Sequence, residues 1–136
     1  MSITITVSNQ KGGVGKTTTS AALASGISLV GKKVLGIDLD PQGNLGFCLG
    51  AGMANHFTVL DVLKGTVPVQ DALVETDYGD LLVSDISLSS SGLERIPSDR
   101  EYILRNAIKP IVQNYDYIII DTPPALNLLT VNAYSV

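Results

Sequence analysis

Cysteine and histidine are nearly missing: among 136 residues there is one of each, Cys48 and His56. A lone thiol excludes a disulfide-stapled secreted scaffold, and a single histidine excludes the usual Cys/His zinc site. Such cysteine usage points to a reducing compartment. Long apolar runs are missing too. Although 45% of the residues are hydrophobic, no run approaches the roughly 18 needed to span a membrane. The opening Met1-Ser2-Ile3-Thr4 has neither the basic stretch nor the apolar core of a secretory signal. A soluble cytoplasmic protein with no membrane partner is therefore expected. Positive charge is also scarce, with nine Lys and Arg against 13 Asp and Glu, a net charge of −4. The chain as a whole is repelled by phosphate backbones, so any DNA contact must be local.

What is present is enough for one domain over residues 1–136. A chain of this length buries roughly 68% of its unfolded surface and needs no metal or disulfide to hold it. Four short Ile- and Val-rich segments, Ile3 to Val7, Val34 to Asp38, Leu81 to Val83 and Tyr117 to Ile120, read as strands. They lack strict alternation, as expected of parallel strands covered on both faces. Between the first two, Lys16 to Val30 reads as a helix with Ala24, Ile27 and Val30 on one face and Gly31 as its C-terminal cap. Ser98-Asp99-Arg100-Glu101 has capping-box spacing and opens a second helical pattern, Leu104, Ala107, Ile108, Ile111, which Pro110 should kink or weaken. Thr58 to Glu75 reads as two short helices broken at Gly65 to Pro68, and Ser87 to Gly92 as a polar loop. Alternating strands and helices predict an α/β fold, a doubly wound and mostly parallel sheet whose ligand site lies beyond the strands' carboxyl ends. Four strands are few for this architecture, and the sequence reads as one that stops partway through it.

Three motifs fall at such ends. Gln10-Lys11-Gly12-Gly13-Val14-Gly15-Lys16-Thr17-Thr18 follows the first strand and opens the first helix. Glycines let the backbone turn its N–H groups inward, and the helix start adds a positive dipole end, so Lys11 to Thr18 can wrap a di- or triphosphate. Lys16 would bridge the β- and γ-phosphates and Thr17 would give its hydroxyl to Mg²⁺, as in P-loop NTPases generally, so the sheet is expected to be of P-loop NTPase type. The strict G-x-x-x-x-G-K-[ST] pattern is broken, because Gln10 stands where its first glycine belongs. Asp38-Leu39-Asp40-Pro41-Gln42-Gly43-Asn44 follows the second strand and can aim Asp38 and Asp40 at one crevice if the chain stays extended. Alone, this is equally an Asp-Pro turn with solvated carboxylates. Tyr117 to Asp121 is an apolar strand ending in an acid that can hold a metal-bound water opposite Thr17, and Pro123 and Pro124 stiffen its exit.

Lys11-Gly12-Gly13-Val14-Gly15-Lys16-Thr17-Thr18 resembles the deviant Walker A motif of the ParA/MinD superfamily of ATPases. The resemblance implies that Lys11 reaches across a nucleotide-sandwich dimer to the phosphates held by the other subunit; taken alone, a lysine beside glycines is a solvated charge. Asp38 to Asn44 is similar to the switch I motif of ParA and Soj proteins, which gives Asp40 the attacking water and Asp38 a place in the Mg²⁺ shell or beside Thr17. Tyr115 to Pro124 resembles the Walker B and switch II region, with Asp121 at the metal. The implied reaction is in-line attack of water on the γ-phosphate of ATP, with Mg²⁺, Lys16 and loop N–H groups neutralising charge. ATP favours the dimer and hydrolysis releases it.

Asn9-Gln10 and Asp40-Pro41-Gln42-Gly43-Asn44 resemble the ParA/Soj partition branch, and MinD-like sequences differ at both places. The resemblance runs from Ile3 to about Ala133 but matches only the first half of a typical ParA protein. It implies a homodimer, a ParB-like activator and, in full-length members, nucleoid association through non-specific DNA contacts made by residues mostly absent here. Arg95, Arg100, Arg105 and Lys109 form a modest basic cluster, but Arg105 follows Glu101 by four residues and is expected to pair with it along the helix. Two alternatives stay open. One is a truncated nucleotide-binding module without turnover. The other is a MinD-like positioning ATPase, although Ala125 to Val136 lacks the basic polar face of a membrane-anchoring helix. Cys48 reads as a small core or near-surface residue and His56 as a surface one.

Overall fold

The computed structural model describes residues 2–8, 14–51, 57–90, 100–123 and 128–136, with backbone alone at 14–17 and 89–90. Its strands are β1 (Ile3–Val7), β2 (Val34–Asp38), β3 (Val74–Thr76), β4 (Gly79–Leu82) and β5 (Tyr117–Asp121), joined in the order β1-β5-β2-β4-β3. All neighbours run parallel except the β3–β4 hairpin. The helices are α1 (Val14–Leu29), α2 (Asn44–Cys48), α3 (Val59–Leu63), α4 (Val69–Ala72), α5 (Ile103–Ile108) and α6 (Leu128–Ser135).

Burial on both faces explains the continuous apolar strands. Leu35, Ile37, Ile118, Ile120 and Leu82 face a core completed by Val59, Leu63, Leu104, Ile108 and Leu129 from α3, α5 and α6. Val34, Leu81 and Ile119 face the opposite core with Ala24 of α1 and Leu45 of α2. Doubly wound packing of this kind leaves the strands' carboxyl ends as the crevice.

The four expected strands are present, and α3 and α4 stand either side of Gly65–Pro68 as expected. The second of the two short helices read in Thr58 to Glu75 ends earlier than expected, at Ala72, because Val74 and Glu75 belong to β3. The hairpin arises from local turn chemistry: Thr76 Oγ1 donates to Gly79 O (2.7 Å) and accepts the Tyr78 N–H (3.1 Å). Gly79 has φ +113°, and a methyl group there would lie 2.4 Å from the Val34 carbonyl oxygen, so only glycine lets β4 start beside β2.

At the end of α1, Gly31 (φ 89°) caps the helix as expected. Its N–H donates to Ser28 O (3.0 Å) and that of Lys32 to Ile27 O (3.4 Å), the two bonds of a Schellman motif. Val30 does not join the buried face: it lies past the last helical residue and is 74% exposed. Pro110 ends α5 rather than kinking it, since the helix stops at Ile108. Ser98 and Asp99 lie outside the described residues. Arg100–Tyr102 is a 3-10 turn, and Arg105 sits over the Tyr102 ring at 5.9 Å instead of pairing along a regular helix with Glu101. Among the described residues, no helix is long and apolar enough to cross a membrane.

Candidate nucleotide site

The strand order brings the motifs together. β5 lies between β1 and β2, with Val7 and Asp38 both in register with Asp121. The phosphate-loop sequence leaves β1 and re-enters as α1, so the first turn of α1, Val14-Gly15-Lys16-Thr17, follows directly from this edge of the sheet. Thr18 is exposed in the same helix. Lys11, Gly12 and Gly13 lie outside the described residues, as do His56, Arg95 and Pro124. Cys48 is exposed at the end of α2.

Asp38 and Asp121 end adjacent parallel strands and are both fully buried, and Asp40 is 7% exposed. Past Asp38 the ladder continues, the Leu39 N–H donating to Asp121 O (2.8 Å), and the backbone turns only from Asp40 on. Asp38 Oδ1 accepts the Asp40 N–H (2.9 Å) and its Oδ2 accepts the Leu45 N–H at the start of α2 (3.3 Å). Asp40 repeats the pattern, with Oδ1 accepting the Gln42 N–H (3.0 Å) and its carbonyl the Gly43 N–H (3.0 Å). Each aspartate thus bonds its own backbone two residues on, and the chain turns over residues 40–43 beyond the carboxyl end of β2.

Burial, with Asp121 and Asp40 close by, raises the Asp38 carboxyl to about 7; the Asp40 and Leu45 N–H groups oppose the rise. The sign follows. An acid whose folded pKa stands above its unfolded value favours the fold in its protonated form, so that contribution is lost as pH rises through 7. In EDTA and without nucleotide, the chain should lose on the order of 1 kcal/mol between pH 6 and pH 8 from this group. Urea midpoints across that range, compared with Asp38→Asn, check it; equal slopes in the two proteins would refute the assignment.

Two side chains outside the expected set tie the site together. Ser20 is fully buried in α1 and donates to Asp121 Oδ1 (3.1 Å). Thr122 Oγ1 donates to Val7 O (2.8 Å), pinning the exit of β5 to the end of β1. Ser20 was readable in principle, since it follows Lys16 by four residues and so shares its helix face. The donor set is all oxygen, and buried carboxylates that repel one another suit a hard divalent cation. Among the described residues no three His, Cys, Asp or Glu side chains are arranged to hold a metal alone.

The sequence matches the family described as AAA domain over residues 2–136. It is 44% identical to the sporulation initiation inhibitor protein Soj of Bacillus subtilis over 133 residues, 95% of this chain and 53% of that one. Identity to the chromosome partitioning protein ParA of Caulobacter vibrioides is 46% over 135 residues, 95% of this chain and 51% of the other. The chain thus spans about half the length of the curated relatives it matches. Among solved structures, a Mycobacterium smegmatis cobyrinic acid a,c-diamide synthase with a bound ATP analogue and magnesium superposes with a TM-score of 0.89 at 39% identity, covering 98% of this chain and 56% of that one. The ATP complex of a Cyanothece McdA variant gives 0.87 at 33% identity, covering 97% and 52%. With a mostly parallel sheet and a family match along almost its whole length, the chain belongs to the AAA domain family and is of ParA/Soj type.

Proposed function

We propose that the chain binds ATP with Mg²⁺ and acts as a ParA-type switch ATPase of DNA partition. The observation that carries this reading is the gathering of Asp38, Asp40 and Asp121 at the carboxyl ends of β2 and β5, with Asp121 bonded to Ser20 four residues beyond Lys16. Backbone N–H groups of Lys11 to Thr18 cradle the phosphates and Lys16 meets the β- and γ-phosphates. Thr17, Asp121 and Asp38 would hold Mg²⁺, which when bound neutralises developing charge on the phosphate oxygens. Asp40 orients the attacking water, and Lys11 serves the phosphates of a partner subunit. A ParB-like activator and DNA are the proposed partners, a reading supported by the chain's similarity to chromosome partitioning proteins.

The coverage of about half of those relatives favours one second reading, a nucleotide-binding module without turnover. Light scattering of the full chain separates the two. Mg·ATPγS should double the 14.3 kDa monomer mass and EDTA should reverse it. A mass that stays monomeric while nucleotide binds would leave the module reading standing alone.

A further inference from the structure

Three consecutive residues at the carboxyl end of β1 are each held from across the fold. Thr6 Oγ1 donates to Ala133 O of α6 (3.4 Å), Val7 O accepts the Thr122 hydroxyl (2.8 Å), and the hydroxyls of Ser8 and Tyr134 share a hydrogen bond of 2.5 Å. The last of these has no part in the site as drawn so far. Ser8 stands one residue past Val7, where the pairing with β5 ends, and two residues before Gln10, which opens the phosphate-loop motif. Tyr134 is 61% exposed, so its ring is not committed to the core that buries Leu129 and Ala133 of the same helix.

The helix that carries Tyr134 is fixed on either side of it. Asn132 is buried, its Oδ1 accepting the Leu104 N–H (3.0 Å) and its Nδ2 donating to Arg100 O (2.8 Å). Ser135 Oγ donates to Glu101 O (2.8 Å). From such a support a tyrosine has only two side-chain torsions to order in placing its hydroxyl. Phosphate binding, for its part, asks the N–H groups of a loop to converge on one ligand, and that depends on where the chain leaves its strand. We propose that Tyr134 is a positioning residue of the phosphate loop, its hydroxyl holding Ser8 at the point where the chain leaves β1 toward residues 9–13. Tyr134 acts through Ser8 and not on the nucleotide itself. The inference rests on the ATP-binding reading.

The test titrates the full wild-type chain, Tyr134→Phe, Ser8→Ala and the double variant with mant-ADP and Mg²⁺, and records their unfolding temperatures without nucleotide. Each single variant should bind about threefold to tenfold more weakly, the range for the net contribution of one hydrogen bond. The double variant should bind no more weakly than either single one, since both remove the same bond. Unfolding temperatures should match that of the wild type, because Tyr134→Phe keeps the ring and the hydroxyl pair is exposed. Undiminished affinity in Tyr134→Phe, losses that add in the double variant, or earlier unfolding of the single variants would overturn the role of Tyr134 while leaving the nucleotide site intact. Failure of the wild type to bind mant-ADP would overturn the ATP-binding reading as well.

Discussion

Lys16→Ala should unfold at the same temperature with and without Mg·ATP, whereas the wild-type chain gains about 2.7 kcal/mol at 100 times its dissociation constant. For a domain of this size the gain is a shift of several degrees. Lys16 stands in the first turn of α1, where the helix leaves the sheet edge that also carries Asp121. Three carboxylates already gather there, so a polyphosphate brought in without a compensating cation would meet net repulsion. Backbone N–H groups supply part of the compensation and Mg²⁺ another, but a lysine at the β- and γ-phosphates supplies a full charge in a partly dry site. Thermal unfolding followed by circular dichroism measures the result directly. A variant that keeps the whole shift would remove the loop from the account.

The second large effect concerns turnover. Asp40→Ala should lower the rate of phosphate release about 10²- to 10⁴-fold, the range for a residue that orients or activates a reacting water. Nucleotide affinity should hardly change, because the interaction is made in the transition state and not in the ground state. The turn complicates the alanine variant, since Asp40 Oδ1 also accepts the Gln42 N–H. Asp40→Asn keeps an acceptor for that bond and loses the charge. If both variants are slow, the carboxylate itself is required; if asparagine restores the rate, the turn is what matters. Steady-state phosphate release with and without Mg²⁺ reads both, and an undiminished rate in Asp40→Ala would exclude the residue from the reaction.

The parts of the molecule that were legible in the sequence are those in which one residue type has one use. Strand β5 could be read because Ile118, Ile119 and Ile120 in succession suit only a strand buried on both faces. Gly31 marked the end of α1 because a left-handed cap favours glycine. Other features depend on partners distant in sequence. Strand β3 has only three residues, and its pairing with β4, not any periodicity, makes it a strand. Val30 matched the helical spacing but falls inside the Schellman turn, one residue past the end of α1, and points to solvent. At the site, the carboxylates were visible as motif ends and the Asp-Pro turn as one reading of them, while their burial and their bonds to the Asp40, Gln42 and Leu45 N–H groups were not, because these depend on how the segment packs. Ser20 and Thr122 are ordinary hydroxyl residues in sequence and gain significance only from what stands across from them.

The placing of β1 at the border of the sheet has a mechanical consequence. Among the described residues it has a strand neighbour on one side only, and its five residues are the least covered of the parallel strands, whereas β2 is buried throughout. Local opening begins where few contacts must be broken, so the free energy needed to fray β1 is lower than that needed to disturb β2 or β5. Among the described residues, β1 is thus the strand whose hydrogen-bond ladder is first to open, and β2 the last.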